Sequence, residues 1–307
     1  MKFSHLSIAP TAAEDLLSIN FSSDSRYLSF SARGFGGMVD MPSATLVASR
    51  KVPGAGADAT LPLLSGTGSI MGKHGYFPLP KGKRVAFKAK LKKGVNHLGI
   101  NAAQTHVVSS EGFCTQGCRV RLHEIATGAT VAQFTERGAH PFRYCVFDSP
   151  DTITALDAVY TVRRWNIKSG QLLHRQTIES TPLPEYSWIG GGNYGMLSAD
   201  GRLALNLLDG LVLWNTSDGS VVFSHPGALD VLMDDKADRL VTSVNYGSEY
   251  DQDRRLTLID RKKNTDEPIP KEFYSNRLLT LSPNGRYMVT AGWESAGSDL
   301  YIIDFDV

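Results

Sequence analysis

The chain has 307 residues, of which 42% are apolar, 9% aromatic and 21% charged, and this composition excludes general disorder. Thirty-two Lys and Arg balance thirty-one Asp and Glu, so the net charge of +1 gives no whole-molecule attraction to nucleic acid or anionic lipid. Three cysteines, Cys114, Cys118 and Cys145, are too few for a disulfide framework, which favours a reducing compartment. We therefore expect a cytoplasmic protein.

The opening residues lack the apolar run of a secretory signal, and no stretch reaches the roughly 18 consecutive apolar residues of a membrane span. No association with a membrane is expected.

Short stretches rich in Val, Leu, Ile, Tyr and Thr recur between clusters of Gly, Asp, Asn and Ser, which is typical of an all-β protein. Aligned in chain order, they give a repeated unit of two strands joined by a tight turn. Clear copies lie at residues 21–30, 197–205 and 281–290, and weaker copies lie at 100–109, 146–156 and 232–242. Two of the clear copies turn through Asp-Gly or Asn-Gly, which are strong hairpin signals.

The residue that opens the second strand of each copy serves as a ruler. These residues are Arg26, Thr105, Thr152, Arg202, Arg239 and Arg286. Their spacing is close to the roughly 40 to 45 residues of a four-stranded propeller blade, except for a first gap long enough for two units. The sequence therefore predicts a seven-bladed β-propeller of four-stranded antiparallel sheets, formed by residues 1–307 as a single domain.

The predicted blades are approximately 11–60, 61–95, 96–137, 138–180, 181–227, 228–272, and 273–307 together with 1–10. Three strands are expected in the last blade, at about 278–283, 286–292 and 299–305. Residues 3–8 alternate apolar and polar, so we expect them to supply its missing outer strand and to close the ring.

A second marker follows each hairpin, as a strand that ends in an aromatic or aliphatic residue and a polar one. The pairs are His123-Glu124, Trp165-Asn166, Trp214-Asn215, Ile259-Asp260 and Ile303-Asp304. They stand where the WD40 family usually has Trp-Asp, and the chain resembles a degenerate WD40-like propeller over most of its length. The copies in the first and last blades are also similar to the propeller repeats of TolB-like and prolyl-oligopeptidase-like proteins. The WD40 resemblance implies a propeller that works as an interaction scaffold.

Motifs with their own chemistry are weak in this chain. Glycines at 190, 192 and 195 match a dinucleotide spacing, but a strand rather than a helix is expected after them. Cys114 and Cys118 have no second pair of ligands, and the acidic residues of 249–253 lack the other features of a calcium loop. We expect no catalytic residue, no metal and no cofactor.

The strongest charge feature is a basic stripe in the predicted second blade. Alternation along 84–92 places four cations on one face of a strand, namely Arg84, Lys88, Lys90 and Lys92. Two interpretations stay open. The lysines protect an outer strand from edge-to-edge pairing, or they dock an acidic protein surface or nucleic acid.

Propeller geometry gathers the loops between second and third strands on one rim, together with the connections between blades. Aromatic and histidine side chains expected on this rim are Phe35, Phe113, His140, Phe142, Trp188, Tyr246, Tyr250 and Trp293. Exposed aromatic residues on loops are typical of binding surfaces. Trp165 and Trp214, at strand ends inside the repeat, are expected in the core.

These features favour a non-catalytic scaffold that binds protein partners through its rim as a subunit of a larger assembly. Two alternatives stay open: an enzyme or a small-ligand or metal binder that uses the central channel, and a nucleic-acid-associated subunit that docks through the basic stripe.

Overall fold

The computed structural model describes residues 1–7, 16–32, 35–51, 61–63, 69–72, 75–78, 83, 85–86, 95–111, 118–137, 140–177, 195–207, 210–226, 228–245, 254–271, 278–291 and 299–306. Within these ranges the regular structure is β-strands joined by turns, without an α-helix. This confirms the all-β prediction.

The strands form four-stranded antiparallel sheets, numbered I to VII along the chain. Sheet I has β2 (Leu16–Phe21), β3 (Tyr27–Ala32), β4 (Phe35–Asp40) and β5 (Thr45–Lys51). Sheet II has β6 (Leu61–Leu63), β7 (Ser69–Gly72), β8 (Gly75–Pro78) and β9 (Val85–Ala86). Sheet III has β10 (Val95–Ile100), β11 (His106–Glu111), β12 (Arg119–Glu124) and β13 (Thr130–Thr135). Sheet IV has β14 (Phe142–Ser149), β15 (Thr152–Asp157), β16 (Thr161–Asn166) and β17 (Leu172–Thr177).

Sheet V has β18 (Gly195–Leu197), β19 (Leu203–Leu207), β20 (Gly210–Asn215) and β21 (Val221–Pro226). Sheet VI has β22 (Ala228–Met233), β23 (Arg239–Asn245), β24 (Arg254–Asp260) and β25 (Thr265–Pro268). Sheet VII has β26 (Leu278–Leu281), β27 (Tyr287–Ala291), β28 (Asp299–Asp304) and β1 (Lys2–Ser7).

The sheets are arranged as a propeller. Their first strands lie side by side, with β10 next to β14, β14 next to β18, β22 next to β26 and β26 next to β2. The first strand of each sheet is therefore the inner one and the fourth is the outer one. This confirms a β-propeller of four-stranded antiparallel sheets.

The blade count differs from the prediction, because six sheets are full blades and the predicted number was seven. The exception is sheet II, whose strands have only two to four residues. Its range, 61–86, contains five glycines and three prolines, which weaken strand interiors and remove ladder donors.

The N-terminal strand closes the last sheet, as predicted. All six residues of β1 pair antiparallel with β28, from Lys2 opposite Asp304 to Ser7 opposite Asp299. Met1 and Phe3 pack on the core between sheets VI and VII, and Leu6 packs on the core between sheets VII and I. The first and last parts of the chain thus share one blade.

The hydrophobic cores lie between neighbouring sheets. Trp165 and Trp214 are 2% and 0% exposed, which confirms that they are core residues. Second strands such as β15 are buried on both faces, whereas the outer strands β17 and β21 alternate between exposed and half-buried positions. This gradient follows from the ring, because only the outer strands have a solvent-facing edge.

Because each sheet is a meander, its turns alternate between two faces of the propeller. We call the side with the first-to-second and third-to-fourth strand turns the turn face; examples are residues 198–202 and 216–220. We call the other side, with the second-to-third loops and the connections between sheets, the loop face; the predicted rim belongs to it.

Candidate functional site

The prediction that Phe142 lies on the rim is wrong. Phe142 opens β14 and is fully buried, with its ring 5.8 Å from that of Trp165 in an edge-on arrangement. It belongs to the strand rather than to the connection before it, because the connection ends one residue earlier. Its burial between sheets III and IV removes it from any partner surface.

Two other rim residues lie within the described part of the chain. His140 is exposed and immediately precedes the sheet IV strands, on the loop face. Phe35 begins β4, at the loop-face end of sheet I. The other predicted rim residues lie outside the described residues; these are Phe113, Trp188, Tyr246, Tyr250 and Trp293.

The basic stripe of Arg84, Lys88, Lys90 and Lys92 also lies outside the described residues. The neighbouring Val85–Ala86 forms β9, the last strand in the order of sheet II. The two interpretations of the stripe therefore stay predictions.

A buried ion network holds the loop face of sheet IV. The guanidinium of Arg163 is 2% exposed; it donates through Nη1 to Asp157 Oδ2 at 2.6 Å and through Nε to Glu136. Asp157 is completely buried, and its Oδ1 also accepts the amides of Val159 and Thr161. The ion pair thus fixes the turn between β15 and β16, while the guanidinium lies over the Phe142 ring.

The turn face is built from a repeated six-residue turn. In sheet VII, Ser282 Oγ donates to Asn284 Oδ1 at 2.8 Å, the Arg286 amide donates to the same oxygen, and the Tyr287 amide donates to Ser282 Oγ. The same bonds are centred on Ser22 in sheet I and on Ser198 in sheet V. Local side-chain bonds of this kind hold a turn without help from the rest of the fold.

The arginine at the fifth position of this turn pairs with the carboxylate that ends the third strand. In sheet VII, Arg286 binds Asp304 through two nitrogens, at 2.9 and 2.8 Å. In sheet I, Arg26 Nε lies 3.3 Å from Asp40. In sheet VII the ruler residue Arg286 and the second-marker residue Asp304 are therefore two halves of one ion pair.

Sheet V breaks this rule. Its fifth-position arginine is Arg202, and the third strand ends in the neutral Asn215, whose Oδ1 accepts bonds from Ser217. Arg202 has a 3.7 Å approach to Asp200 instead, and its side chain is 81% exposed, against 38% for Arg286. This arginine has lost the carboxylate that its equivalents bind.

The alignment of sheet VI was wrong by one residue. Asp234 and Arg239 are the first and sixth residues of the turn, because the Asp234 amide donates to the Arg239 carbonyl as Ser282 does to Tyr287. The fifth position is therefore Asp238, which pairs with Lys262 at 2.6 Å, while Asp260 at the end of the third strand is bound by the sixth-position Arg239 at 3.3 Å.

Backbone bonds join the turns of neighbouring sheets. The Ala199 amide donates to the Asp235 carbonyl, and the Asp235 amide donates to the Pro283 carbonyl, at 2.8 and 2.9 Å. The Asn284 amide donates to Ser25 Oγ at 3.0 Å. Sheets V, VI, VII and I are thus linked at the turn face, which gives it a fixed shape.

Asp235, which makes two of these backbone bonds, has a raised pKa. Burial and the nearby carboxylates of Asp234 and Asp200 raise its pKa to about 6. Burial also raises the pKa of Tyr144, from the inner strand of sheet IV, and the charge of Asp235 adds to that effect. Ionisation of Asp235 as the pH rises through about 6 therefore costs the folded protein stability.

We expect Asp235→Asn to stabilise the protein at pH 7.5. A carboxyl whose pKa is higher in the folded state contributes stability below its unfolded pKa of about 4, and this contribution is lost as the pH rises through about 6. The variant should be more stable at pH 7.5 by roughly 2–3 kcal/mol, and its advantage should vanish towards pH 4.

Urea unfolding of variant and wild type from pH 4 to 8 measures this difference. The wild-type profile alone is insufficient, because burial lowers the pKa of His123 to about 4 and so destabilises the protein as the pH falls over the same window. Asp218→Asn is a control, since bonds from Ser220 lower the pKa of Asp218. Equal stability of Asp235→Asn and wild type at pH 7.5 would contradict the prediction.

Two clefts open on the turn face and differ in charge. We call the first the basic cleft; it has about 480 Å³ and lies between sheets IV, V and VI. Its lining residues are Arg164, Asp200, Arg202, Leu203, Asn215, Thr216, Ser217 and Lys236. The second, of about 320 Å³, lies at sheets VI, VII and I and includes Asp24, Asp234, Asp235 and Asp238. Lys236 borders both clefts.

Exposed aliphatic residues occupy an equivalent place on four outer strands. In sheet IV, Arg164 pairs with His174 and Trp165 with Leu172, so Leu173 is an extra, bulged residue. The same bulge occurs in sheets I, III and V. The four bulge residues and their exposures are Val47 (51%), Val131 (51%), Leu173 (49%) and Val222 (45%).

The bulge residues lie near the turn-face end of each outer strand, and those of sheets III, IV and V are on neighbouring sheets. A bulge disrupts the ladder and discourages addition of another strand. The row therefore offers side chains, rather than free backbone, to a neighbouring molecule.

Chemical groups for catalysis are sparse in the described ranges. No set of three or more His, Cys, Asp or Glu residues there is placed to hold a metal ion. Cys118 and Cys145 are buried thiols, and burial raises the pKa of Cys145 to about 12, so that it stays protonated. Within the described part of the chain, no helix has the length and apolar character to cross a membrane.

Comparison with known proteins gives no relative: no family model matches the sequence, and no curated protein matches it. The resemblance to WD40 repeats therefore stays a prediction.

The basic cleft was missed from the sequence although its signal was present. Alignment of the clear repeats already placed Asn215 at the position equivalent to Asp304, and Arg202 at the position equivalent to Arg286. The sequence alone did not show that the arginine position and the Asp or Asn position are neighbours, because that depends on the register of the ladder.

Proposed function

We propose that the protein is a non-catalytic protein–protein interaction scaffold and a subunit of a larger assembly in the cytoplasm. The observation that carries this proposal is the row of bulge residues. Leu173, Val222 and Val131 repeat on three neighbouring outer strands, each about half exposed. Aliphatic side chains repeated at one place on a rigid surface are typical of a contact with another protein.

The WD40-like resemblance supports the same function. We propose that sheet II takes the place of the second blade, which would give the ring seven positions. Partners would bind the loop-face rim around Phe35 and His140 as well as the bulge residues, and the basic stripe would add an acidic partner. Rigid sheets lower the entropy cost of presenting such surfaces.

The test is purification of the tagged protein from its own cells, with identification of the macromolecules that accompany it. We expect wild type to bring a stoichiometric protein partner, and Leu173→Glu/Val222→Glu to lose it while its melting temperature stays within about 2 °C, because both side chains are exposed.

Thr265→Glu is the matched control, since Thr265 is exposed at the turn-face end of the outer strand β25, in sheet VI, where the ladder between β24 and β25 has no bulge. Purification of the wild type as a monomer without any partner would contradict the scaffold proposal. Recovery of nucleic acid in place of protein, with a steep dependence on salt, would favour the nucleic-acid alternative.

A further inference from the structure

We propose that the basic cleft binds a carboxylate side chain of an acidic protein segment, with Arg202 as its principal contact. This rests on the proposed scaffold function and adds the chemistry of one partner. The starting point is the exception in sheet V, where Asn215 replaces the aspartate found in sheets I and VII.

The fold itself provides a template for the interaction. Asp304 receives two bonds from Arg286, at 2.9 and 2.8 Å, from the position equivalent to Asn215. Paired nitrogen–oxygen bonds of this kind make the guanidinium selective for planar carboxylates. A carboxylate from outside the chain meets the same chemistry at Arg202, whose side chain is 81% exposed and which the backbone holds as it holds Arg286.

A second cation points to the same ligand. Lys236 lines the cleft from the turn of sheet VI, at the third position, where the turns of sheets I and V have the acidic residues Asp24 and Asp200. It is exposed and has no ion pair within the described part of the chain. Arg164, the third cation, is already bound to Asp148 at 2.5 Å.

The surroundings favour a protein segment over a small ion. The cleft spans three sheets, and Leu203 gives it an apolar patch. The exposed Val221 lies opposite Trp214, the residue before Asn215, and so places an aliphatic side chain at the same end of sheet V. A segment with one or two acidic residues beside aliphatic ones complements this combination of charge and apolar surface.

The experiment uses fluorescein-labelled peptides and the full-length protein, with binding followed by fluorescence anisotropy at low salt. The probe peptide contains six glutamates, and its partner peptide has six glutamines. We expect the glutamate peptide alone to bind, and its affinity to fall as salt is raised. Arg202→Glu should weaken binding by about tenfold or more, equal to about 1.4 kcal/mol.

The most discriminating variant leaves all the cations of the basic cleft in place. Asn215→Asp restores the internal carboxylate, which should occupy Arg202 and weaken peptide binding by about three- to tenfold. Its matched control is Asn166→Asp, at the equivalent position in sheet IV, where the fifth position of the turn is Asp151 rather than an arginine. Both asparagines accept bonds from a nearby serine through Oδ1, which aspartate preserves. The control should bind the peptide like wild type.

Equal binding of the peptide by wild type, Arg202→Glu and Asn215→Asp would overturn the proposal, as would failure of the peptide to bind wild type. Tighter binding of a single-stranded oligonucleotide, sensitive to the same variants, would also overturn it. The two proposals can also be separated. If the Leu173→Glu/Val222→Glu variant loses the native partner and Arg202→Glu retains it, the scaffold function is supported and recognition of an acidic segment by the basic cleft is contradicted.

Discussion

Deletion of residues 1–7 is expected to lower the melting temperature by roughly 10–20 °C. The deletion removes the outer strand of sheet VII, with six paired residues, and uncovers β28 as a new edge. It also removes Phe3 and Leu6 from two inter-sheet cores, and truncation of a packed phenylalanine alone costs about 3–5 kcal/mol. Calorimetry of the deleted and intact chains measures the effect.

A peptide supplied in trans provides the decisive control. A synthetic peptide of residues 1–10 should restore much of the lost melting temperature as its concentration rises, since it binds only the folded ring. A scrambled peptide should have no effect, and Lys2→Ala should melt like wild type because Lys2 is exposed. An unchanged melting temperature after the deletion would show that β1 does not hold the ring closed.

The second large effect is expected at the buried pair of Arg163 and Asp157. Asp157→Asn should cost about 3 kcal/mol, because the guanidinium loses its most buried counter-charge. Arg163→Met should cost a similar amount, since it leaves the carboxylate uncompensated. The double variant should cost at least about 1.5 kcal/mol less than the sum of the two, because neither charge is then left without its partner.

Denaturant unfolding of the wild type, both single variants and the double variant gives the coupling energy directly. Asparagine keeps Oδ1 for the amides of Val159 and Thr161, so the turn itself is not removed. Lys262→Met is the comparison, because its pair with Asp238 is solvent-exposed and should matter little. Additive costs would show that the network contributes no coupling.

The regular part of the fold could be predicted because it depends on local chemistry. Turns such as 198–202 and 282–286 hold themselves by short-range bonds, and these are the copies that the sequence alignment found most easily. The alignment slipped at Arg239, where Asp234 replaces the usual serine and the turn has a different bonding pattern. A single ambiguous residue is enough to move a repeat by one position.

Other features could not be predicted, because they depend on contacts between distant parts of the chain. Phe142 reads as a loop residue in isolation, and only its packing on Trp165 makes it part of a core. Sheet II is rich in glycine, and its strands have no strong alternation to define their length. The bulge residues look like ordinary strand residues, since a bulge is a property of two strands together.

The pairing of β1 with β28 has a consequence for how the protein is made. Residues 2–7 leave the ribosome well before their partners, 299–304. The intervening sheets form from sequence neighbours and can assemble during synthesis, whereas β1 has to wait for its partner β28 until the sheets between them have been translated. During that interval a chaperone has an amphipathic segment to bind, and premature termination near residue 299 would leave a horseshoe with two open ends.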